Sequence, residues 1–86
     1  MNELRQELFS QEPEAVLFTE ELDPALIGIG GYHSGKLHGI YSRNKLIACL
    51  QDNNGWTYDE AVEYYEFNVE CAYYGPYTPI IVKIEP

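Results

Sequence analysis

The glycine-rich residues 30–36 have the spacing of a phosphate-binding loop but lack part of its chemistry. They match G-x-x-x-x-G-K, a pattern in which backbone N–H groups and the lysine hold phosphate. The next position should supply a hydroxyl for magnesium but is Leu37, and the residues after it alternate like a strand rather than opening a helix. We therefore predict a hairpin turn. The alternative is a small-anion or nucleotide-signal site built from backbone N–H groups and basic side chains. Its residues would be Gly30, Gly31, His33, Lys36 and His38.

The other metal-ligating and nucleophilic side chains do not form a recognisable site. His33, His38, Cys49 and Cys71 match no structural zinc spacing. The two cysteines lie among apolar neighbours on predicted helices, where a thiol is usually part of the core. Cysteine catalysis requires a thiol of lowered pKa beside a histidine, and nothing in the sequence indicates that pairing. The sequence thus predicts no catalytic residue, no metal and no cofactor, and hence a protein that is not an enzyme.

Carboxylates recur at helical spacing in residues 57–75. Asp59, Glu63, Glu66 and Glu70 stand at i, i+4, i+7 and i+11, so one helix face carries only negative charge. A solvated face is the ordinary interpretation. The functional interpretation is a docking surface for a basic partner, which would offset the few tenths of a kcal/mol that each like-charged i,i+4 pair costs. The predicted contacts are these four carboxylates together with Tyr64, Phe67 and Tyr74.

Residues 57–75 are predicted to form one long helix, with a capping signal at its start and a stop signal at its end. Thr57 and Glu60 stand in the capping-box relation, and Gly75 followed by Pro76 ends the helix. Asn68 is expected at the edge of the buried stripe, bonded to the backbone of the hairpin. The buried stripe consists of Ala61, Tyr65, Val69 and Ala72.

A second, largely apolar face of this helix has no evident cover in so short a chain. The sequence leaves three possibilities for what covers this face. The N-terminal segment can fold back over it, a second copy of the chain can cover it in a homodimer, or a foreign partner can bind there. The face is formed by Tyr64, Phe67, Cys71 and Tyr74.

The remaining segments predict a small α+β fold in a single domain, residues 1–86. The simplest arrangement is a three-stranded, mostly antiparallel sheet packed against two helices, with a short N-terminal helix. Turn residues and alternating apolar positions separate the elements. Besides the long helix, the predicted elements are a short helix at 2–9, a β-hairpin from 25–33 and 37–42, a helix capped by Ser42 or Asn44, and a closing strand at 80–84.

Charge and composition restrict the class of partner. The chain has a net charge of -9 over 86 residues. The acids concentrate in residues 1–23 and 59–86, which together contain thirteen carboxylates and only two basic residues, Arg5 and Lys83. Such a charge opposes binding to nucleic acid or to an anionic membrane. There is no run of 18 apolar residues and the N-terminus does not read as a signal peptide, so we expect a cytoplasmic protein with reduced cysteines.

Two blocks of the sequence resemble a group of short phage and prophage proteins. The first reads D-x-A-L-I-G-x-G over residues 23–30, and the second reads E-A-x-E-Y-x-E-F-N-x-x-x-A-Y-x-G-x-x-T-P-I over residues 60–80. The resemblance implies a phage or prophage origin. Small acidic phage proteins of this profile bind and disable host machinery. The leading hypothesis is therefore a non-enzymatic inhibitor of a host or defence-system protein, such as an anti-CRISPR, acting by surface occlusion. A nucleotide-signal binder using the hairpin and a homodimeric accessory protein are the alternatives.

Overall fold

A computed structural model describes residues 3–31, 35–70 and 72–83 of the chain. It is a small α+β fold, with a mixed sheet that is mostly antiparallel and helices packed against it. A 3₁₀ turn, Glu20–Ala25, precedes the first strand, and a π-helical segment, Glu66–Glu70, follows the third helix. The remaining elements are α1 (Glu3–Gln11), β1 (Leu26–Gly30), β2 (His38–Ser42), α2 (Arg43–Asn54), α3 (Tyr58–Tyr65) and β3 (Ile80–Val82).

The sheet has the order β1-β2-β3. The predicted hairpin is present, with β1 antiparallel to β2. Gly31 allows the two backbones to approach, since a Cβ there would lie 2.0 Å from the carbonyl oxygen of Lys36. β3 pairs in parallel with β2. A parallel pair needs a crossover, and α2 and α3 supply it.

The core forms where α2 and α3 meet the sheet. Ser42, rather than Asn44, caps α2. Its hydroxyl accepts from the Lys45 N–H at 3.3 Å. Gly55 ends α2 with φ 67°, a conformation that favours glycine. The predicted inner stripe of α3 is buried at Ala61, Tyr65 and Val69. A single apolar cluster therefore joins both helices, the hairpin and the 3₁₀ turn.

The N-terminal segment is fastened to this core by an internal ion pair. The carboxylate of Asp23 is only 8% exposed. Arg5 Nε donates to both of its oxygens, at 3.0 and 2.9 Å, and Arg5 Nη2 donates to Oδ1 at 2.7 Å. Arg5 Nη2 also donates to the carbonyl of Phe18, and the Phe18 N–H donates to the hydroxyl of Tyr41 at 3.1 Å. We call Arg5, Asp23, Phe18 and Tyr41 the N-terminal lock.

The prediction of one continuous helix over residues 57–75 was wrong. The α-helix ends at Tyr65, π-helical pitch follows through Glu70, and Ala72 to Tyr74 are not helical. Local side chains compete for the backbone groups that would extend the helix. The Tyr74 N–H donates to the hydroxyl of Thr78 at 2.8 Å, and that hydroxyl donates to the carbonyl of Gly75 at 2.7 Å. Gly75, at φ 95°, thus serves a turn before β3 rather than the end of the helix.

Candidate functional site: an acidic–aromatic face

The candidate site is built on α3 and its π-helical extension. The predicted capping box is present. Thr57 Oγ1 accepts from the Glu60 N–H at 3.2 Å, and Glu60 Oε1 accepts from the Thr57 N–H at 2.9 Å. This box fixes where the helix begins, and the buried stripe then fixes which side faces outward. We define the acidic–aromatic face as Asp59, Glu63, Glu66 and Glu70 together with Tyr64, Phe67 and Tyr74.

All four carboxylates of the face are exposed. Residues 58–70 contain no Lys, Arg or His, and none of these carboxylates forms an ion pair with another described residue. Two cations, Arg43 and Lys83, line a pocket together with Glu66 and Glu70. The guanidinium of Arg43 lies over the ring of Tyr65, 5.3 Å from its centroid. The face therefore presents net negative charge to solvent, with these two cations beside its Glu66–Glu70 end.

The position of two of these carboxylates is unfavourable for the helix itself. Asp59 lies in the first turn, where the helix dipole stabilises negative charge. Glu66 and Glu70 lie at the opposite end, where the dipole disfavours negative charge, and no basic residue stands in the last turn of α3 or of the π segment. Each such placement costs roughly 0.3–1 kcal/mol. Helix stability therefore does not explain these two residues.

Three of the six large apolar side chains that are exposed among the described residues belong to this face. Phe67 is 77% exposed, and Tyr64 and Tyr74 are also exposed. The N-terminal segment lies along one edge of this surface, where the rings of Phe18 and Tyr74 meet edge to face at 6.2 Å, but it leaves these three rings open. Among the described residues, the exposed large apolar side chains are Phe9, Tyr58, Tyr64, Phe67, Tyr73 and Tyr74.

Two adjoining pockets open beside the face and share the side chains of Trp56, Tyr64 and Asn68 as walls. The larger holds about 550 Å³ between the N-terminal segment and α3. The smaller holds about 380 Å³ and reaches Glu60, Glu63 and Phe67. We call the two together the amide groove. The larger part is lined by Val16, Leu17, Phe18, Thr19, Glu21, Leu22, Leu50, Asn53, Asn54, Trp56, Tyr64, Asn68, Val69 and Tyr74.

Asn68 does not bond the hairpin backbone, so that expectation was wrong. Its side chain is exposed, and Nδ2 donates to the carbonyl of Tyr64 at 3.1 Å. In an uninterrupted α-helix this carbonyl would accept from the Asn68 N–H. The side-chain bond therefore supports the change to π pitch, a feature that occurs frequently at functional sites.

The described backbone of the alternative site in the hairpin is close-packed, since Gly30 pairs with His38 and Gly31 lies against the carbonyl of Lys36. Gly30 ends β1, and the Nζ of Lys36 lies 6.0 Å from the ring centroid of Tyr77. His38 is only 3% exposed, and its Nδ1 donates to the carbonyl of Thr78 at 2.9 Å. This bond ties β2 to the turn before β3. His33 lies outside the described residues.

The described thiol and the described acids show no reactive arrangement. Cys49 is buried, and that burial, assisted by the nearby Asp52, raises the pKa of its thiol. Cys71 lies outside the described residues. Within residues 3–31, 35–70 and 72–83, no three His, Cys, Asp or Glu side chains cluster as metal ligands would. In the same ranges, no helix is both long enough and apolar enough to cross a bilayer.

No family model, curated protein or solved structure matches the chain. Function is therefore inferred from the chemistry of the acidic–aromatic face and the groove beside it.

Proposed function

We propose that the chain is a non-enzymatic binding protein that covers a basic surface of a partner protein with its acidic–aromatic face. In the setting that the two sequence blocks imply, the partner is a host or defence-system protein in the cytoplasm of an infected cell. Occlusion of its functional surface, as an anti-CRISPR does, would inhibit it. Such a role needs no cofactor and no catalytic residue.

The observation that carries the proposal is that exposed carboxylates without an ion pair stand beside exposed rings, as Glu63 does beside Tyr64 and Phe67. Carboxylates without ion partners steer and orient a basic protein, and exposed aromatic side chains supply the apolar contacts that hold it. Glu66 and Glu70 oppose the helix dipole, and a countercharged partner would relieve the part of that cost that the neighbouring Arg43 and Lys83 leave. The alternative of a merely solvated face does not account for Phe67, whose ring gains nothing from exposure.

The proposal is tested by reversing the charge of the face without touching its core. In E63K/E66K both side chains are exposed, so we expect an intact fold and loss of partner capture. The immobilised wild type and variant are compared in lysate of the native host, and captured proteins are identified by mass spectrometry. The matched control is E3K/E7K, which makes the same change in charge on the exposed face of α1 and should capture normally.

Equal loss in both variants would show that net charge, rather than this face, governs capture. Undiminished capture by E63K/E66K would refute the proposal. Sedimentation velocity addresses the homodimer separately. A dimer that dissociates on the change Phe67→Ala would assign the exposed rings to a subunit contact instead of a foreign partner.

A further inference from the structure

The amide groove has a buried apolar floor beneath a rim that solvent reaches. Phe18, Leu22, Leu50 and Val69 are buried, whereas the ring of Tyr64 on the rim is exposed. A volume of about 550 Å³ lies in the range of sites that bind small ligands or several side chains. The floor is therefore suited to an apolar side chain that enters from outside.

Three asparagine side chains line the groove with fixed orientation. Asn53 Nδ2 donates to the carbonyl of Glu21 at 3.2 Å, and Asn54 Nδ2 donates to the carbonyl of Leu50 at 3.0 Å. Asn68 makes the corresponding bond within α3. Each bond uses one amide proton and leaves a carbonyl oxygen and a second proton for a ligand. A side-chain amide that offers both a donor and an acceptor matches the backbone of an extended peptide.

The charge of the groove selects a cation. Glu21 lines the larger part, and Glu60 and Glu63 line the smaller part, while no Lys, Arg or His lines either. The rings of Trp56 and Tyr64 stand 5.1 Å apart at 46° beside these carboxylates. A guanidinium group stacks on aromatic rings and pairs with a carboxylate at the same time. The acidic end therefore fits an arginine side chain.

We propose that the amide groove binds an extended segment of the partner protein, with an apolar side chain on the groove floor and an arginine beside Trp56, Tyr64 and Glu63. This inference rests on the function proposed above and specifies what the partner presents. In an extended chain, residues i and i+2 point to the same side and lie about 6.6 Å apart. Because the two parts of the groove share a wall, the pattern to test is an apolar residue, any residue, then arginine.

Trp56 provides the readout, because it is the single tryptophan of the chain and lies in the wall between the two parts. The probe is an acetylated and amidated pentapeptide of sequence Gly-Leu-Gly-Arg-Gly. Its counterpart carries glutamate in place of arginine. We expect a saturable change in tryptophan emission with the arginine peptide and affinity at least about tenfold weaker with the glutamate peptide, a difference of 1.4 kcal/mol. Equal responses, or no saturable response, would overturn the inference.

Variants of the rim localise the binding. We expect Tyr64→Ala and Asn68→Ala to weaken the arginine peptide by about tenfold or more, which is the size of one lost stacking or hydrogen-bonding contact. The matched control is Tyr73→Ala, because Tyr73 is 78% exposed and lines neither part of the groove. Circular dichroism verifies that each variant is folded. Peptide affinity that falls equally in all three variants would contradict a site in the groove.

The peptide titration and the capture experiment distinguish the two proposals, although Glu63 belongs to both the face and the groove. If the peptide does not bind while E63K/E66K loses partner capture, the face stands and the groove inference falls. If E63K/E66K still captures its partner, the proposed function falls, and a peptide that binds would then show a groove whose occupant is not that partner.

Discussion

The N-terminal lock and the acidic–aromatic face use polar groups in opposite ways. In the lock, the Asp23 carboxylate receives three hydrogen bonds from Arg5, and the Tyr41 hydroxyl accepts from the Phe18 N–H. On the α3 side, the carboxylates have no ion partner among the described residues. Beneath them, the buried hydroxyl of Tyr65 has no hydrogen-bond partner in the described part of the chain.

This difference separates the residues that hold the fold from those that are available to a partner. Burying a polar group is tolerable when its bonds are replaced, and the lock satisfies that condition. The face exposes its charge, so removing a carboxylate there sacrifices no internal bond. We therefore expect changes in the lock to alter stability and changes in the face to alter binding.

The largest predicted effect on stability comes from high pH, because it ionises one buried tyrosine in the lock and another beneath the face. Burial raises the pKa of Tyr41 to about 12 and that of Tyr65 to about 12. Between pH 10 and 12 the unfolded chain loses protons that the folded chain keeps, so the free energy of unfolding falls as pH rises. The loss is at most about 1.4 kcal/mol per pH unit for each tyrosine. Urea unfolding at pH 8, 10 and 11.5 measures it; stability that is constant above pH 10 would contradict burial of the two phenols.

A smaller loss should follow from breaking the lock. Arg5→Leu leaves the carboxylate of Asp23 buried without its partner, which costs about 3 kcal/mol. The same hydrogen bonds raise the pKa of Arg5, so the arginine stays charged throughout the usable range. Chemical unfolding measures the loss, and Lys45→Leu, at an exposed position, is the matched control with less than about 0.5 kcal/mol. Equal losses in the two variants would remove the distinction between lock and surface.

The sharpest comparison uses the two buried tyrosines, because the hydroxyl of Tyr41 accepts a hydrogen bond and that of Tyr65 has no partner among the described residues. Tyr41→Phe removes the acceptor of the Phe18 N–H and should lower the free energy of unfolding by about 1–2 kcal/mol. Tyr65→Phe removes a buried hydroxyl without a partner among the described residues, so stability should stay constant or rise by up to about 1 kcal/mol. Paired unfolding curves decide this. A loss of similar size at Tyr65 would show that its hydroxyl is bonded.

The sequence predicted those parts of the fold that depend on local chemistry. The capping box at Thr57, the cap at Ser42 and the buried stripe of Ala61, Tyr65 and Val69 were all found, because periodicity and capping are written in neighbouring residues. The end of the helix was not predicted correctly. It depends on the Thr78 hydroxyl, which takes the Tyr74 N–H, and a bond of that kind has no signal in helical spacing.

The amide groove was also beyond sequence reasoning. Asn53 and Asn54 end α2, and Trp56 precedes Thr57, which caps α3; nothing in that order of residues marks a pocket. They form one wall only because the N-terminal segment crosses the core opposite α3, and the Arg5–Asp23 pair that holds this segment joins residues 18 positions apart. The one local signal was the density of amide and aromatic residues just before the cap.

The most direct test compares two effects of one variant, E63K/E66K, once its partner is purified. Isothermal titration gives the change in affinity, and urea unfolding gives the change in stability. We predict affinity at least about a hundredfold weaker, or 2.7 kcal/mol, with the free energy of unfolding within about 0.5 kcal/mol of the wild type. Unchanged affinity with a clear loss of stability would mean that these carboxylates serve the fold, and it would contradict the account.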